Sequence, residues 1–290
     1  MVSALTRSPG SERAPDEAPA PAFRVCGLSF AYPGQGLCLR DVSFDVAVGE
    51  RVAILGANGS GKSTLLKVLD GLAFPSEGSV TVFGRPLTEA ALRDERTAFA
   101  FRRRVGLVFQ SADAQLFSPT VRDEIAFGPL QMGLDRAEVE ARLADVAAML
   151  GIEPLLDRAP FRLSGGEKRK VALGSVLVIN PDAILLDEPT GGLDPRSRWW
   201  LVETLDALHG AGKTIVLSTH DLDIAPHVAD RAIVLGEDHA VAAAGPVKEI
   251  LAEHDLLMRV NLIHEHLHAH GGVLHSHAHH HADDEHSHDH

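Results

Sequence analysis

The sequence predicts an α/β fold with a mostly parallel sheet, and three observations carry that prediction. The first is Gly56-Ala57-Asn58-Gly59-Ser60-Gly61-Lys62-Ser63, set between the apolar run Arg51–Leu55 and a helical run that begins at Thr64. Glycines let successive backbone N–H groups turn toward an anion, and a helix N-terminus adds partial positive charge, so strand, loop and helix in that order build a phosphate site. The second is the return of short apolar runs at residues 105–109, 183–187 and 214–219, with helical patterning between them. The third is the change to helical patterning over residues 111–164. Together they specify a phosphate-loop (RecA-like) core, an antiparallel β lobe ahead of it and a helical insertion subdomain.

The elements follow in order. Residues 1–22 are rich in Pro, Ala and charge and read as a disordered leader. Strands are expected at 25–32 and 41–46, with Pro33-Gly34-Gln35-Gly36 as the turn between them, and at 79–83, closed by Gly84-Arg85-Pro86. Arg102-Arg103-Arg104 reads as a solvated strand edge. Val139, Leu143, Val146 and Leu150 recur at helical spacing ahead of Gly151, a C-cap glycine. Leu201, Leu205 and Leu208 mark one face of a later helix. Residues 23–246 form one cassette. Residues 247–263 read as a single C-terminal helix docking on the core or a partner, with Val247, Leu251 and Met258 on one face. Residues 264–290 read as a flexible histidine-rich tail.

Composition excludes several classes. Formal net charge is −13, and no basic stripe marks a nucleic-acid groove. Cys26 and Cys38 are the only cysteines, too few for a zinc framework; reduced thiols in the cytosol are expected. No signal peptide is evident, and no stretch approaches the roughly 20 apolar residues of a membrane span. Any membrane role would run through a partner.

Within the loop, Lys62 is placed to reach β- and γ-phosphates and Ser63 to ligate magnesium. Ala183-Ile184-Leu185-Leu186-Asp187-Glu188 puts two carboxylates at the end of a buried strand: Asp187 suits a magnesium ligand and Glu188 the polarisation of an attacking water. Leu163-Ser164-Gly165-Gly166-Glu167 then separates this chain from other phosphate-loop proteins. It resembles the signature of ATP-binding cassette ATPases, over roughly residues 23–250. The resemblance implies that Ser164, Gly165 and Gly166 face the γ-phosphate of a nucleotide bound by a second protomer. Glu167 stands where glutamine is commonest, and an ionised carboxylate cannot donate a hydrogen bond to a nucleotide.

The same resemblance implies roles for the remaining motifs. Tyr32 would stack on adenine, and Gly56, Asn58, Gly59, Ser60, Gly61 and Thr64 would complete the nucleotide cradle. Gln110 would meet magnesium and water, Gly192-Leu193-Asp194 would communicate across the dimer, and His220 would contact the γ-phosphate. ATP and Mg2+ are the implied substrate and cofactor, in a homo- or heterodimer with ATP sandwiched at two composite sites. The helical insertion would pass the stroke to transmembrane coupling and substrate-binding subunits at the cytoplasmic face of the membrane.

Residues 108–117 and 121–129, with Ser218-Thr219-His220-Asp221-Leu222-Asp223, resemble the ATPase of energy-coupling-factor transporters, and cobalt and nickel members in particular. The C-terminus bears on that choice: residues 254–290 hold 13 of the 17 histidines. His264, His266, His268 and His270, then His275, His277, His279, His280 and His281, offer imidazoles suited to Ni2+ or Co2+. Interspersed Ala, Ser and Asp argue against an artificial tag; a solvated low-complexity tail is the plain alternative. Competing functions are a vitamin-importing energy-coupling ATPase, a soluble cassette ATPase unconnected with transport, and a metal buffer.

Overall fold

The computed structural model describes residues 20–270 and 273–280, with side chains described as far as Ile263. The β lobe comes first. β1 (Phe23–Ala31) pairs antiparallel with β2 (Leu37–Val46). β3 (Arg51–Leu55) then leads into the loop and α1 (Lys62–Leu69). β4 (Glu77–Val82) and the short β5 (Arg85–Pro86) return to the lobe, whose strand order is β2-β1-β4-β5. Gly78 is required at its position: its φ is +81°, and a Cβ there would meet the Gly27 carbonyl oxygen at 2.3 Å.

α2 (Glu89–Leu92) and α3 (Glu95–Arg102) precede β6 (Val105–Val108). The helical insertion follows as α4 (Ala112–Gln115), α5 (Val121–Gln131), α6 (Arg136–Leu150) and α7 (Gly165–Leu177). Capping sets its boundaries. The Asp135 side chain accepts the Glu138 N–H at the start of α6, and Gly151 closes that helix in the left-handed conformation at φ 63°. β7 (Ala183–Asp187), α8 (Pro195–Gly210), β8 (Thr214–Thr219), α9 (Ala225–Val228), β9 (Arg231–Leu235) and β10 (Val241–Pro246) complete the core. The described residues close with α10 (Val247–Ala252), α11 (His254–Arg259), β11 (Ile263–His270) and β12 (Val273–His280).

The six-stranded sheet runs β10-β9-β3-β8-β7-β6, parallel except for β10. Every residue of β7 and of β8 is buried, as parallel strands covered on both faces require. One apolar cluster joins the sheet to α5, α6, α7 and α8; a second joins it to α1 and the β lobe. Each fully buried Leu or Ile there contributes about 1.5–3 kcal/mol, so the strand ends that bear polar side chains are held rigidly.

Several expectations need correction. Residues 1–19 of the expected leader lie outside the described residues, but Ala22 is fully buried and its carbonyl accepts the Phe83 N–H, so the ordered lobe begins before residue 23. Arg102 ends a helix and does not edge a strand; Arg104 stacks on Phe83 at 3.7 Å and bonds Asp182. The expected single helix over 247–263 is two, broken at Glu253 with ψ 78°, because Val247, Ile250, Leu256 and Leu257 all turn into one cluster with β3 and β9. Residues 264–270 and 273–280 of the expected flexible tail lie in the paired strands β11 and β12, whose alternating sequence supplies the period of two that a strand needs. Among the described residues no helix is long and apolar enough to cross a membrane.

Candidate functional site

Three adjacent strands, β3, β8 and β7, deliver their carboxyl ends to one place. After β3 the loop turns through Gly59 at φ 85° and Gly61 at φ 107°. A Cβ on Gly61 would lie 2.4 Å from the Cys38 carbonyl oxygen, so only glycine brings the loop this close to β2. Gly61 is also the N-cap of α1 and offers no side chain to the first-turn amides, which leaves those N–H groups for an anion. The Ser60 hydroxyl is buried with no protein hydrogen-bond partner. A glycine cradle, free helix amides and a buried hydroxyl fit a polyphosphate.

Lys62 is 5% exposed. Its Nζ donates to the carbonyls of Gly56 (2.8 Å) and Ala57 (3.2 Å) and lies 3.2 Å from Glu188 Oε1. The other Glu188 oxygen is 3.0 Å from His220 Nδ1. Burial works to raise the Glu188 pKa, but the His220 hydrogen bond and the Lys62 charge outweigh it and hold the carboxyl below its usual range. Glu188 also adopts φ 43°, a left-handed conformation that costs a non-glycine residue about 1–3 kcal/mol and that its surroundings impose.

A second line of contacts runs beside the first. Asp187 Oδ1 accepts from the Ser63 hydroxyl at 2.9 Å and from the Ser218 hydroxyl at 2.7 Å, and Ser218 Oγ in turn accepts the Glu188 N–H at 2.9 Å. Ser63 and Asp187 are hard oxygen donors of the kind magnesium takes. Ser218 received no role in the sequence reading. It ties the ends of β7 and β8 together, and its signal is a hydroxyl directly after the apolar run Ile215–Leu217.

Tyr32 stands at the edge of this site: its hydroxyl is 3.5 Å from Thr64 Oγ1, and its ring meets Phe30 edge-on at 4.9 Å. Gln110 follows β6 and is exposed. Its carbonyl accepts from Arg169 at 2.6 Å, and Arg169 also reaches the Gly191 carbonyl at 3.3 Å. Arg169, on α7, thus links the expected signature helix to the two loops after β6 and β7, a role that only the fold makes visible.

Ser164 caps α7, with Gly165 and Gly166 in its first turn. The principal packing partners of α7 are α4, α5, α6 and β6, whereas α1 packs on β2, β7 and β8. The signature and the phosphate loop are therefore carried by different parts of the chain. Of the histidines singled out beyond residue 263, His264 to His280 lie in β11 and β12, and His281 lies outside the described residues.

Comparison with known proteins agrees with this geometry. Residues 39–191 match the ABC transporter family model. The nickel import ATP-binding protein NikO of Rhodobacter capsulatus is 50% identical over 84% of this chain and 96% of its own length. An energy-coupling factor transporter ATP-binding protein of Methanospirillum hungatei is 37% identical over 83% of this chain and 60% of its own length. Among solved structures, cbiO1 of Clostridium perfringens, part of the transporter complex cbiONQ, superposes with a TM-score of 0.72 at 35% identity, covering 84% of this chain and 95% of that one. The ATP-binding cassette MJ0796, a dimer in a post-hydrolysis state with ADP and phosphate, superposes with a TM-score of 0.70 at 28% identity, covering 78% and 98%. The chain belongs to the ATP-binding cassette family of transporter ATPases, whose reaction is ATP hydrolysis coupled to transport.

Proposed function

We propose that this chain powers import of nickel or cobalt ions by an energy-coupling-factor transporter. It works as one protomer of a head-to-tail dimer on the cytoplasmic face of the membrane. The observation that carries the metal substrate is 50% identity, over nearly the full length, to a nickel import ATP-binding protein. The histidine-rich C-terminus, whose imidazoles are donors of the kind nickel and cobalt take, supports it.

In this reading Tyr32 stacks on adenine, the amides from Gly59 to Thr64 cradle the phosphates with Gly56, Asn58 and Ser60 shaping the loop, and Lys62 leaves Glu188 to meet the β- and γ-phosphates. Ser63, Asp187 and Gln110 would hold Mg2+, which supplies charge neutralisation between the phosphates. Glu188 takes the proton of the attacking water, and His220 positions Glu188 and the γ-phosphate. Ser164, Gly165 and Gly166 cap the partner protomer's γ-phosphate with a helix N-terminus. Positioning and electrostatics supply most of the rate, because phosphoryl transfer asks little covalent chemistry of the protein. Phe117, Phe127 and Phe161, exposed on the helical insertion, give transmembrane subunits an apolar surface to grip.

The test is metal uptake by cells or proteoliposomes containing this chain and its membrane subunits. Nickel or cobalt accumulation is expected to require ATP and an intact Lys62. Uptake of a vitamin instead, with none of either metal, would refute the substrate and favour the vitamin-importing alternative.

A further inference from the structure

The hairpin between β9 and β10 lies against the phosphate loop at two points. A Cβ on Gly56 would meet the Leu235 carbonyl oxygen at 2.8 Å, and His239 Nδ1 stands 3.4 Å from the Ser60 carbonyl oxygen, a long hydrogen bond. A carbonyl only accepts, so the Nδ1–H donates. The hairpin turns through Glu237, Asp238 and His239. The His239 N–H donates to the Gly236 carbonyl and the Gly236 N–H to the Ala240 carbonyl, both at 3.0 Å. His239 itself is left-handed, with φ 64°. The last position of a three-residue hairpin loop ordinarily takes glycine for that reason. Here a side chain is kept against backbone preference, and it reaches the phosphate loop.

The backbone of His239 is fastened as well. Its carbonyl accepts the Arg40 N–H at 2.9 Å, which ties the hairpin to β2. From β2 the Cys38 carbonyl closes the other approach to the loop, where a Cβ on Gly61 would come within 2.4 Å of it. The peptide between Ser60, 2% exposed, and Gly61 therefore sits between a hairpin and a strand that are bonded to each other. In a trans peptide unit the carbonyl and the following N–H point to opposite sides. Holding the Ser60 carbonyl toward His239 turns the Gly61 N–H away from the hairpin. Gly61 is the N-cap of α1, at the head of the amides that an anion would meet.

We propose that His239 is a positioning residue for nucleotide binding: it fixes the Ser60–Gly61 peptide so that the Gly61 N–H is set for phosphate before the nucleotide arrives. The inference rests on the reading of residues 56–64 as the phosphate cradle and adds what holds that cradle in its binding shape. Gly59 and Gly61, at φ 85° and 107°, give the loop conformational freedom that binding must remove. A hydrogen bond from outside the loop that selects one conformation lowers that ordering cost and raises affinity. His239 touches no phosphate in this scheme and acts through Ser60. Lys62 does not duplicate it. Its Nζ bonds the carbonyls of Gly56 and Ala57 at the other end of the loop, and in the proposed reaction it is drawn to the phosphates.

Glycine separates a positioning role from a structural one. His239→Gly deletes the donor but suits φ 64°, so the nucleotide-free chain is expected to keep its Tm or gain. His239→Asn also accepts the left-handed conformation and restores an N–H donor at the δ position. Full-length protein, these two variants and Lys62→Ala are titrated calorimetrically with MgATP, and Tm is recorded without nucleotide. The Gly variant is expected to bind about three- to tenfold more weakly, the effect of one hydrogen bond, and the Asn variant to recover to within about twofold of the unmodified chain. A loss below about threefold in the Gly variant, or one that Asn does not recover, would overturn the inference. So would a lowered Tm in the Gly variant, by showing that the residue serves the fold. Lys62→Ala tells the two readings apart. Unweakened MgATP binding by that variant would defeat the cradle assignment itself; weakened binding there, with none lost in His239→Gly, would defeat only the role of His239.

Discussion

Replacing Glu167 tests whether the departure from glutamine in the signature is structural. The Glu167 carboxylate accepts the Ser164 N–H and the Ser164 hydroxyl, both at 2.8 Å, while the Glu167 N–H donates to Ser164 Oγ at 3.3 Å. These contacts form a capping box at the start of α7, and the Ser164 N–H and hydroxyl hold the Glu167 carboxyl below its usual range. Glu167→Ala keeps the Glu167 N–H bond to Ser164 Oγ but removes the carboxylate half of the box, worth about 1 kcal/mol, and a favourable charge at the helix N-terminus, worth about 0.3–1 kcal/mol. The expected loss of about 1–2 kcal/mol lowers Tm by roughly 2–8 °C for a chain of this size. Glu167→Gln keeps the acceptor and loses only the charge, so it should cost less than half as much. Because the folded pKa is depressed, the carboxylate's contribution is present above the ordinary value near ~4.3 and is lost as pH falls through the folded value; the Gln variant should lack that pH dependence. Ser164 must give up Glu167 to donate to a phosphate, and the carboxylate repels one. Glu167→Gln placed in a Glu188→Gln background should therefore tighten ATP-driven dimerisation, by about fivefold for a repulsion of roughly 1 kcal/mol. Differential scanning calorimetry and sedimentation with ATP measure the two effects. An unchanged Tm for Glu167→Ala, or weaker dimerisation for Glu167→Gln, would refute the reasoning.

Glu188→Gln alone should retain ATP binding and reduce turnover by about 10²–10⁴-fold, the usual contribution of a general base; hydrolysis at the unmodified rate in the assembled transporter would contradict the assignment. Lys62→Ala should weaken nucleotide binding by the isolated chain, whereas Ser164→Ala or Gly165→Asp should spare it and impair ATP-driven closure; equal losses of binding in the isolated chain would contradict a composite site. Burial pushes the Asp70 carboxyl up to about 7 against the charge of Arg102. Relative to its stability below about pH 4, the folded state thus loses on the order of 4 kcal/mol as pH rises from about 4 to about 7. Asp70→Asn should flatten the dependence of Tm on pH over that interval, and an unchanged slope would show that the group is solvated.

The strands that build the site were legible because they are buried on both faces. Arg51–Leu55, Ala183–Asp187 and Thr214–Thr219 read as apolar runs with no other way to satisfy their backbone than a central sheet. β10 was not legible: Val241–Pro246 is alanine-rich, with low intrinsic strand preference, and exists by pairing with β9. The break at Glu253 carries no glycine or proline and comes from packing. In the site, Lys62, Ser63, Asp187, Glu188 and His220 follow from motifs, and the fold brings Lys62 and His220 onto Glu188 and Ser63 onto Asp187. Ser218 and Arg169 could not be found that way. Their importance lies in which strand end or loop they touch, and sequence spacing does not encode that.

Register is what turns three strand ends into a site. β7 and β8 pair Asp187 with Ser218, and β3 and β8 pair Leu55 with Thr219. Sliding β8 by one residue would carry Ser218 to the opposite face of the sheet and leave Asp187 Oδ1 and the Glu188 N–H without their shared partner. The cost would fall on buried polar groups, about 1–3 kcal/mol for each one left unsatisfied. The apolar side chains of β8 would also exchange the helix-facing cluster for the lobe-facing one. The same hydrophobic pattern that holds the sheet together therefore fixes where Glu188 meets His220. It also confines Lys62, Asp187 and Glu188 to a pocket with one positive and two negative formal charges, all buried. A buried excess of negative charge is costly unless a cation shares it, and Ser63 and Asp187 offer that cation the oxygen donors a hard divalent ion takes.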